Sequence, residues 1–207
     1  RFSEGGAHQS DGHEKPAVPP LEQKLSANFY STCAIRDGAV WCWGRPYGEP
    51  QIIDLTEVTD LFLGPLVGCA VRQKGEVVCW FYSDINPQPA PVFQPIAQVA
   101  VGDEEACGRT LGGKVLCWDL FDDSRAAWFI RGASGATDLT AGENHFCAVL
   151  GTNGHVVCWG LNKYSQLGNG TTADSSVPVR VAAMRHAVEV SANENGTCAR
   201  ARHGAIK

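Results

Sequence analysis

Nine cysteines, six histidines, six tryptophans and 22 acidic residues are the groups in this 207-residue chain from which chemistry could be built. Thiols can act as nucleophiles, hold zinc or close disulfides, and spacing separates the three. Eight of them fall into four pairs, Cys33/Cys42, Cys69/Cys79, Cys107/Cys117 and Cys147/Cys158, at separations of 9, 10, 10 and 11 residues. Cys198 is left over. No CxxC and no tight Cys/His cluster is present, which weighs against zinc. No GxSxG, Walker, HExxH or EF-hand pattern is present either, so no catalytic residue and no cofactor is expected. Gly132-Ala133-Ser134-Gly135 has the wrong spacing for a nucleophile loop, and His145 and His155 sit singly, His145 at a repeated slot and therefore read as incidental. The acidic runs Asp103-Glu104-Glu105 and Asp122-Asp123 read as solvated loop charge, and His8, His13, Asp11 and Glu14 as a solvated tail. A net charge of −5 gives no basic footprint for nucleic acid, and no apolar run is long enough to span a bilayer.

The cysteines sit in a repeated frame. Five nonapeptides end on the first cysteine of each unit: LSANFYSTC at Cys33, LFLGPLVGC at Cys69, VAVGDEEAC at Cys107, LTAGENHFC at Cys147 and VSANENGTC at Cys198. Each carries Asn28, Gly64, Gly102, Gly142 or Asn193 at one position, which predicts a bend with positive φ there. RDGAVWCW, QKGEVVCW, GGKVLCW and TNGHVVCW follow, so Trp43, Trp80, Trp118 and Trp159 each come directly after a cysteine. The midpoint of every pair falls at a Gly-bearing turn: at Asp37-Gly38, on Lys74 beside Gly75, on Gly112, and at Thr152-Asn153 beside Gly154. That is hairpin chemistry, and it sets each pair of cysteines directly opposite one another, within reach of a disulfide. Four local cross-strand disulfides are expected, with reduced, buried cysteines as the competing reading. Disulfides imply an oxidising compartment: extracellular, cell surface or periplasmic.

Residues 147–198 carry a further pattern. After the hairpin come Trp159-Gly160, Asn162, Gln166-Leu167-Gly168-x-Gly170-Thr171 and Pro178-Val179, with Ser165 where a glycine is usual. This stretch resembles the repeat of the regulator of chromosome condensation superfamily. The resemblance extends less specifically over residues 21–207 and implies an all-β propeller of four-stranded blades, about four and a half units forming an incomplete ring. The units are centred on 33–42, 69–79, 107–117 and 147–158, with an incomplete one from 198. The first three are too short for the Gln-Leu-Gly loop and are expected to reduce the outer connection. Paired cysteines with a trailing Trp look like the secreted bacterial form of the repeat. The nuclear members' nucleotide-exchange and chromatin roles do not suit an acidic chain without a basic arm.

Residues 1–20 read as a flexible Gly/Pro-rich leader or linker. The fifth unit ends one residue short of the expected partner of Cys198, which suggests a fragment, with the last hairpin unpaired, disordered or completed by another chain. Outside the repeated slot, Trp41 and the insertion around residues 119–131 offer an exposed recognition surface: Phe121, Arg125, Trp128, Phe129 and Arg131 are the candidate binding residues. The function expected is a non-catalytic scaffold that binds a protein partner. The alternatives are a subunit that joins copies of itself through its open last blade or Cys198, and a proteinaceous enzyme inhibitor, which the resemblance also allows.

Overall fold

A computed structural model describes residues 24–122, 126–182 and 184–207. The leader therefore lies outside the described residues. Among those residues the structure is built of strands without a helix, and no helix is long and apolar enough to cross a membrane. Blade I holds β1 (Leu25–Ala27), β2 (Ser31–Arg36), β3 (Ala39–Gly44) and β4 (Gly48–Ile53). Blade II holds β5 (Val58–Leu63), β6 (Val67–Arg72), β7 (Val77–Phe81) and β8 (Asp84–Pro89). Blade III holds β9 (Ile96–Val101), β10 (Glu105–Thr110), β11 (Val115–Asp119) and the short β12 (Trp128–Phe129). Blade IV holds β13 (Ala136–Ala141), β14 (His145–Leu150), β15 (His155–Gly160) and β16 (Ser175–Arg180), and blade V begins with β17 (Ala187–Ala192) and β18 (Thr197–Ala201). Each blade is an antiparallel meander in chain order. The first strands β1, β5, β9, β13 and β17 pack on one another in succession and form the inner wall. This is an open β-propeller of four blades and the start of a fifth.

The hairpins follow from the turns. Asp37 and Gly38, at φ of 53° and 76°, make a two-residue turn between Arg36 and Ala39, the mirror-image type that suits strand twist. Three residues close the next two hairpins, with positive φ on Gly75 and on Gly113 rather than on Gly112. Gly151 and Gly154 flank the four-residue turn of blade IV. These turns bring Cys33 opposite Cys42, Cys69 opposite Cys79, Cys107 opposite Cys117 and Cys147 opposite Cys158. All four pairs are joined as disulfides with Cα atoms 4.0–4.1 Å apart.

The conserved-looking Asn/Gly position behaves differently from the expectation. None of Asn28, Gly64, Gly102, Gly142 and Asn193 has positive φ. Three are glycine because neighbouring blades close there. A Cβ on Gly64 would lie 2.7 Å from the Val101 side chain, one on Gly102 2.9 Å from the Glu143 carbonyl, and one on Gly142 inside the His145 ring and the Asn193 carbonyl. Close approach, rather than a bend, selects the residue.

Apolar side chains fill the spaces between successive blades. Trp80, Trp118 and Trp159 pack toward the blade before their own and are 1%, 1% and 4% exposed. Trp43 occupies the same slot but is half-buried, since no blade precedes it among the described residues. Trp41, set against Trp43 on the same face, is half-buried too, at the position of Val78, Leu116 and Val157. The short units keep their outer strands: β4 and β8 have six residues each, and only β12 shrinks, to two. What they lack is the long connection of residues 161–174, which is pinned in blade IV by the fully buried Asn162. Asn162 Nδ2 donates to the carbonyls of Thr171 and Ala173, both at 3.0 Å, and its Oδ1 accepts the Leu167 N–H at 3.0 Å.

Blade V departs from the expectation of an unpaired last hairpin. Residues 205–207 turn back, and Ala199 and Lys207 exchange backbone bonds of 2.7 and 3.0 Å, with Arg200 bridged to Ile206. Cys198 remains an exposed free thiol.

Candidate binding face at the channel mouth

The inner strands must satisfy backbone amides on the edge that has no neighbouring strand. Side chains of the adjacent blade do this. Ser26 Oγ accepts Leu63 N–H at 2.9 Å, Asp60 Oδ2 accepts Val99 N–H at 2.7 Å, Asp138 Oδ2 accepts Val190 N–H at 2.8 Å, and Thr140 Oγ1 accepts Ala192 N–H at 3.2 Å. Asp60 is also ion-paired to Lys24, and Asp138 receives the Gln98 amide at 2.7 Å. Burial still leaves the Asp60 carboxyl above its ordinary range, with Lys24 and the backbone N–H groups of Val99 and Leu61 pulling it back. This polar belt stitches blade to blade along the wall.

At one end of the wall the nonapeptide loops converge on a cavity of about 350 Å³. Backbone bonds join successive loops: Asp103 N–H donates to the Glu143 carbonyl at 2.7 Å and Glu143 N–H to the Glu194 carbonyl at 3.3 Å. Asn28 Nδ2 reaches the Gly64 carbonyl at 2.9 Å and Tyr82 Oη at the same distance, while Tyr82 Oη donates to that carbonyl at 2.8 Å. Residues that share a slot therefore end up side by side. In blades I and II the slot after Asn/Gly holds Phe29 and Pro65; in blades III, IV and V it holds Asp103, Glu143 and Glu194. The mouth is accordingly divided. One half is apolar: Phe29, 64% exposed, and Pro65 line it, and the exposed Tyr30 and Leu66 follow them in the chain. The other is acidic. Partial burial, then Glu194 and Asp103, raise the Glu143 carboxyl above the usual carboxylate range.

His145, read from sequence as incidental, is fully buried between blades IV and V. Its Nε2 lies 2.8 Å from Thr197 Oγ1, and that hydroxyl donates to the Gln166 carbonyl at 3.0 Å. The hydroxyl proton is thus committed, so His145 carries its proton on Nε2 and leaves Nδ1 bare and without a partner among the described residues. Burial lowers its pKa to about 4.

The candidates on the insertion of blade III do not form one cluster. Phe121, beyond the end of β11, pairs with Phe81 at 5.6 Å; Phe129, opposite Leu116 near its start, pairs with Phe93 at 5.6 Å under the Lys114 ammonium. Arg131 is exposed. Trp128 is half-buried in β12, packed on the core between blades III and IV, because its position opposite Cys117 places it in the outer strand rather than in a free loop. Arg125 lies outside the described residues. Among the described residues, no three His, Cys, Asp or Glu side chains are grouped to hold a metal ion.

Residues 153–200 match the family model described as regulator of chromosome condensation (RCC1) repeat, and residues 136–166 match a second model of that description. The ultraviolet-B receptor UVR8 of Arabidopsis thaliana is 25% identical over a gapped alignment of 211 positions that takes in 81% of this chain and 48% of the receptor. Among solved structures, Prp20p from Saccharomyces cerevisiae is similar with a TM-score of 0.73 at 20% identity, over 88% of this chain and 56% of that one. The CRINKLY WD40 ectodomain of the Arabidopsis thaliana receptor kinase ACR4 is similar with a TM-score of 0.57 at 19% identity, over 86% and 60%. The chain spans about half the length of the curated relative it matches. Residues 136–200 match RCC1 repeat models, the blades before them repeat the same disulfide-bearing hairpin, and the chain shares its β-propeller fold with Prp20p.

Proposed function

We propose that this chain is a non-catalytic scaffold of an oxidising compartment, outside the cell, at its surface or in the periplasm, which presents its channel mouth to a protein partner. The observation that carries the reading is the divided mouth, in which backbone bonds force three like charges together beside an exposed apolar half. Repulsion of that kind costs stability unless a partner relieves it. Among the relatives in fold, Prp20p is described with binding properties to Gsp1p and histones, and the ACR4 propeller is a receptor ectodomain. Both are in keeping with a propeller used for recognition. The four hairpin disulfides support the oxidising compartment.

A photo-crosslinking residue placed at Phe29 or Glu194 in the native host tests the binding face. Cross-links to another protein from these positions, and not from Glu49 on the outer strand β4, are the expected result. Equal labelling from all three positions would defeat the reading. Alkylation of the unreduced protein checks the compartment: one thiol, Cys198, should react per chain, and nine reactive thiols would exclude it.

An assembling subunit is the second reading, favoured by the exposed Cys198 thiol beside the partly formed third strand of blade V. Mass in solution, measured with and without reductant, separates it from a monomeric scaffold.

A further inference from the structure

Beside the mouth, on the same face, a second cavity of about 340 Å³ opens between blades III and IV and shares Glu143 with the first. Its rim carries Glu104, Glu143 and Asp174, and Phe146 and Trp159 line it. The two rings stack at 5.8 Å and are each 4% exposed, so they form a buried apolar wall under a carboxylate rim.

Two features of this groove are left incomplete among the described residues. The ion pairs among the described residues, Lys24–Asp60, Arg36–Asp37, Arg72–Glu76 and Arg200–Glu189, all lie elsewhere, and none brings a cation to Glu104, Glu143 or Asp174. Asp174 does accept the Asn162 N–H at 2.7 Å, but a backbone amide does not neutralise it. The second feature is Trp159 itself. Trp80, in the same slot of blade II, donates its Nε1–H to Tyr47 Oη at 2.7 Å; the Nε1–H of Trp159 is buried with no acceptor among the described residues. Leaving such a donor unmet costs about 1–3 kcal/mol.

We infer that the groove between blades III and IV seats a basic side chain, arginine or lysine, carried on a peptide segment of the protein partner. This rests on the scaffold reading and names the partner's chemistry. The cation answers the rim of Glu104, Glu143 and Asp174, and its aliphatic stem lies against the apolar wall, contact that a bare metal ion would not make. The adjoining mouth extends the match: Glu194 on its cavity and Asp103, bonded to the Glu143 carbonyl, continue the acidic track, and the exposed Phe29 on the same cavity offers apolar contact to neighbouring residues of the same segment.

The probe is the peptide acetyl-Gly-Arg-Gly-Arg-Phe-Gly-amide, titrated into the whole chain and followed by the indole ¹H–¹⁵N signal of Trp159, assigned by its loss in Trp159→Phe. The expected result is a saturable shift of that signal, an affinity about tenfold weaker in Glu104→Gln/Glu143→Gln, and weakening with added salt. The charge-matched control Glu49→Gln/Asp54→Asn on blade I should bind like the parent. Equal loss in both variants would show general attraction to an acidic protein and overturn the seat. So would an identical shift from calcium chloride alone, or equal binding of the same peptide with Glu for Arg. Absence of any shift also rejects the seat, while cross-links from Phe29 and Glu194 would leave the scaffold reading standing.

Discussion

At His145 a single proton placement decides how blade V responds to acid. Thr197 has already given its hydroxyl proton to the Gln166 carbonyl, so a second proton on the imidazole must go to Nδ1, where no acceptor waits. The folded pKa is about 4 against 6.5 for the free side chain. Between those values the unfolded chain binds a proton that the folded chain refuses. The contribution of His145 is therefore complete above pH 6.5 and is lost as pH falls toward 4, by up to about 3 kcal/mol. Asp60 acts in the opposite sense: its raised pKa makes the folded state the better proton acceptor, so its contribution declines as pH rises through the carboxylate range. Urea unfolding of the parent and of His145→Gln from pH 4 to 7 separates the two. The variant should lose most of the slope between 4 and 6.5, and an unchanged slope would refute the assignment. A second residue-scale prediction concerns Trp80. Tyr47→Phe removes the one acceptor of a buried indole N–H, and should cost about 1–3 kcal/mol in urea unfolding. Trp159, on the wall of the groove between blades III and IV, already lives with that condition among the described residues.

Elements show which parts of the fold could be read in advance. Hairpin register was legible because a disulfide pair and a turn constrain the same two strands from opposite ends: cysteine separation fixes the midpoint, and Gly38, Gly75 and Gly154 supply the turn there. The repeated Asn/Gly was legible as a position but misread as a bend, because steric space between blades leaves the same mark on a sequence as positive φ does. The polar belt was not legible. Asp60 and Asp138 share a slot that holds Lys24 in blade I and Gln98 in blade III, and all look like surface residues until the inner strands are packed together and their unpaired amides appear. The acidic side of the binding face was visible only as Asp103-Glu104-Glu105, since Glu143, Asp174 and Glu194 join it through inter-blade contacts at long sequence separation. Asp138→Ala tests the belt as an element. It removes the acceptor of Val190 N–H and of the Gln98 amide together, so it should destabilise by about 2–3 kcal/mol. Hydrogen exchange at the Val190 amide should rise well beyond that at Val99, whose acceptor is Asp60. Equal acceleration at both would mean that the belt does not act blade by blade.

Over the whole molecule, the extensive strand packing among the described residues runs within a blade or between successive blades, so stability is approximately a sum of blade terms and interface terms along one dimension. The disulfides act inside blades, each closing a loop of about ten residues, for which the chain-entropy model gives about 2.5–3 kcal/mol apiece. Removing one therefore weakens a single blade, and the effect elsewhere depends on how many interfaces that blade supports. Blade III has a blade on either side; blade I contacts only blade II among the described residues. Replacing Cys107 and Cys117 by alanine should thus loosen both interfaces that Trp118 and Trp159 help to fill. Replacing Cys33 and Cys42 should leave blades III and IV nearly as they were. Hydrogen exchange resolved by blade checks this. Protection lost across blades II to IV in the first variant but confined to blades I and II in the second is the expected pattern. Uniform loss in both would show a single cooperative unit instead. The same comparison bears on binding, because the acidic half of the mouth is built from blades III to V: the first variant should lower affinity for the arginine peptide, and the second should not.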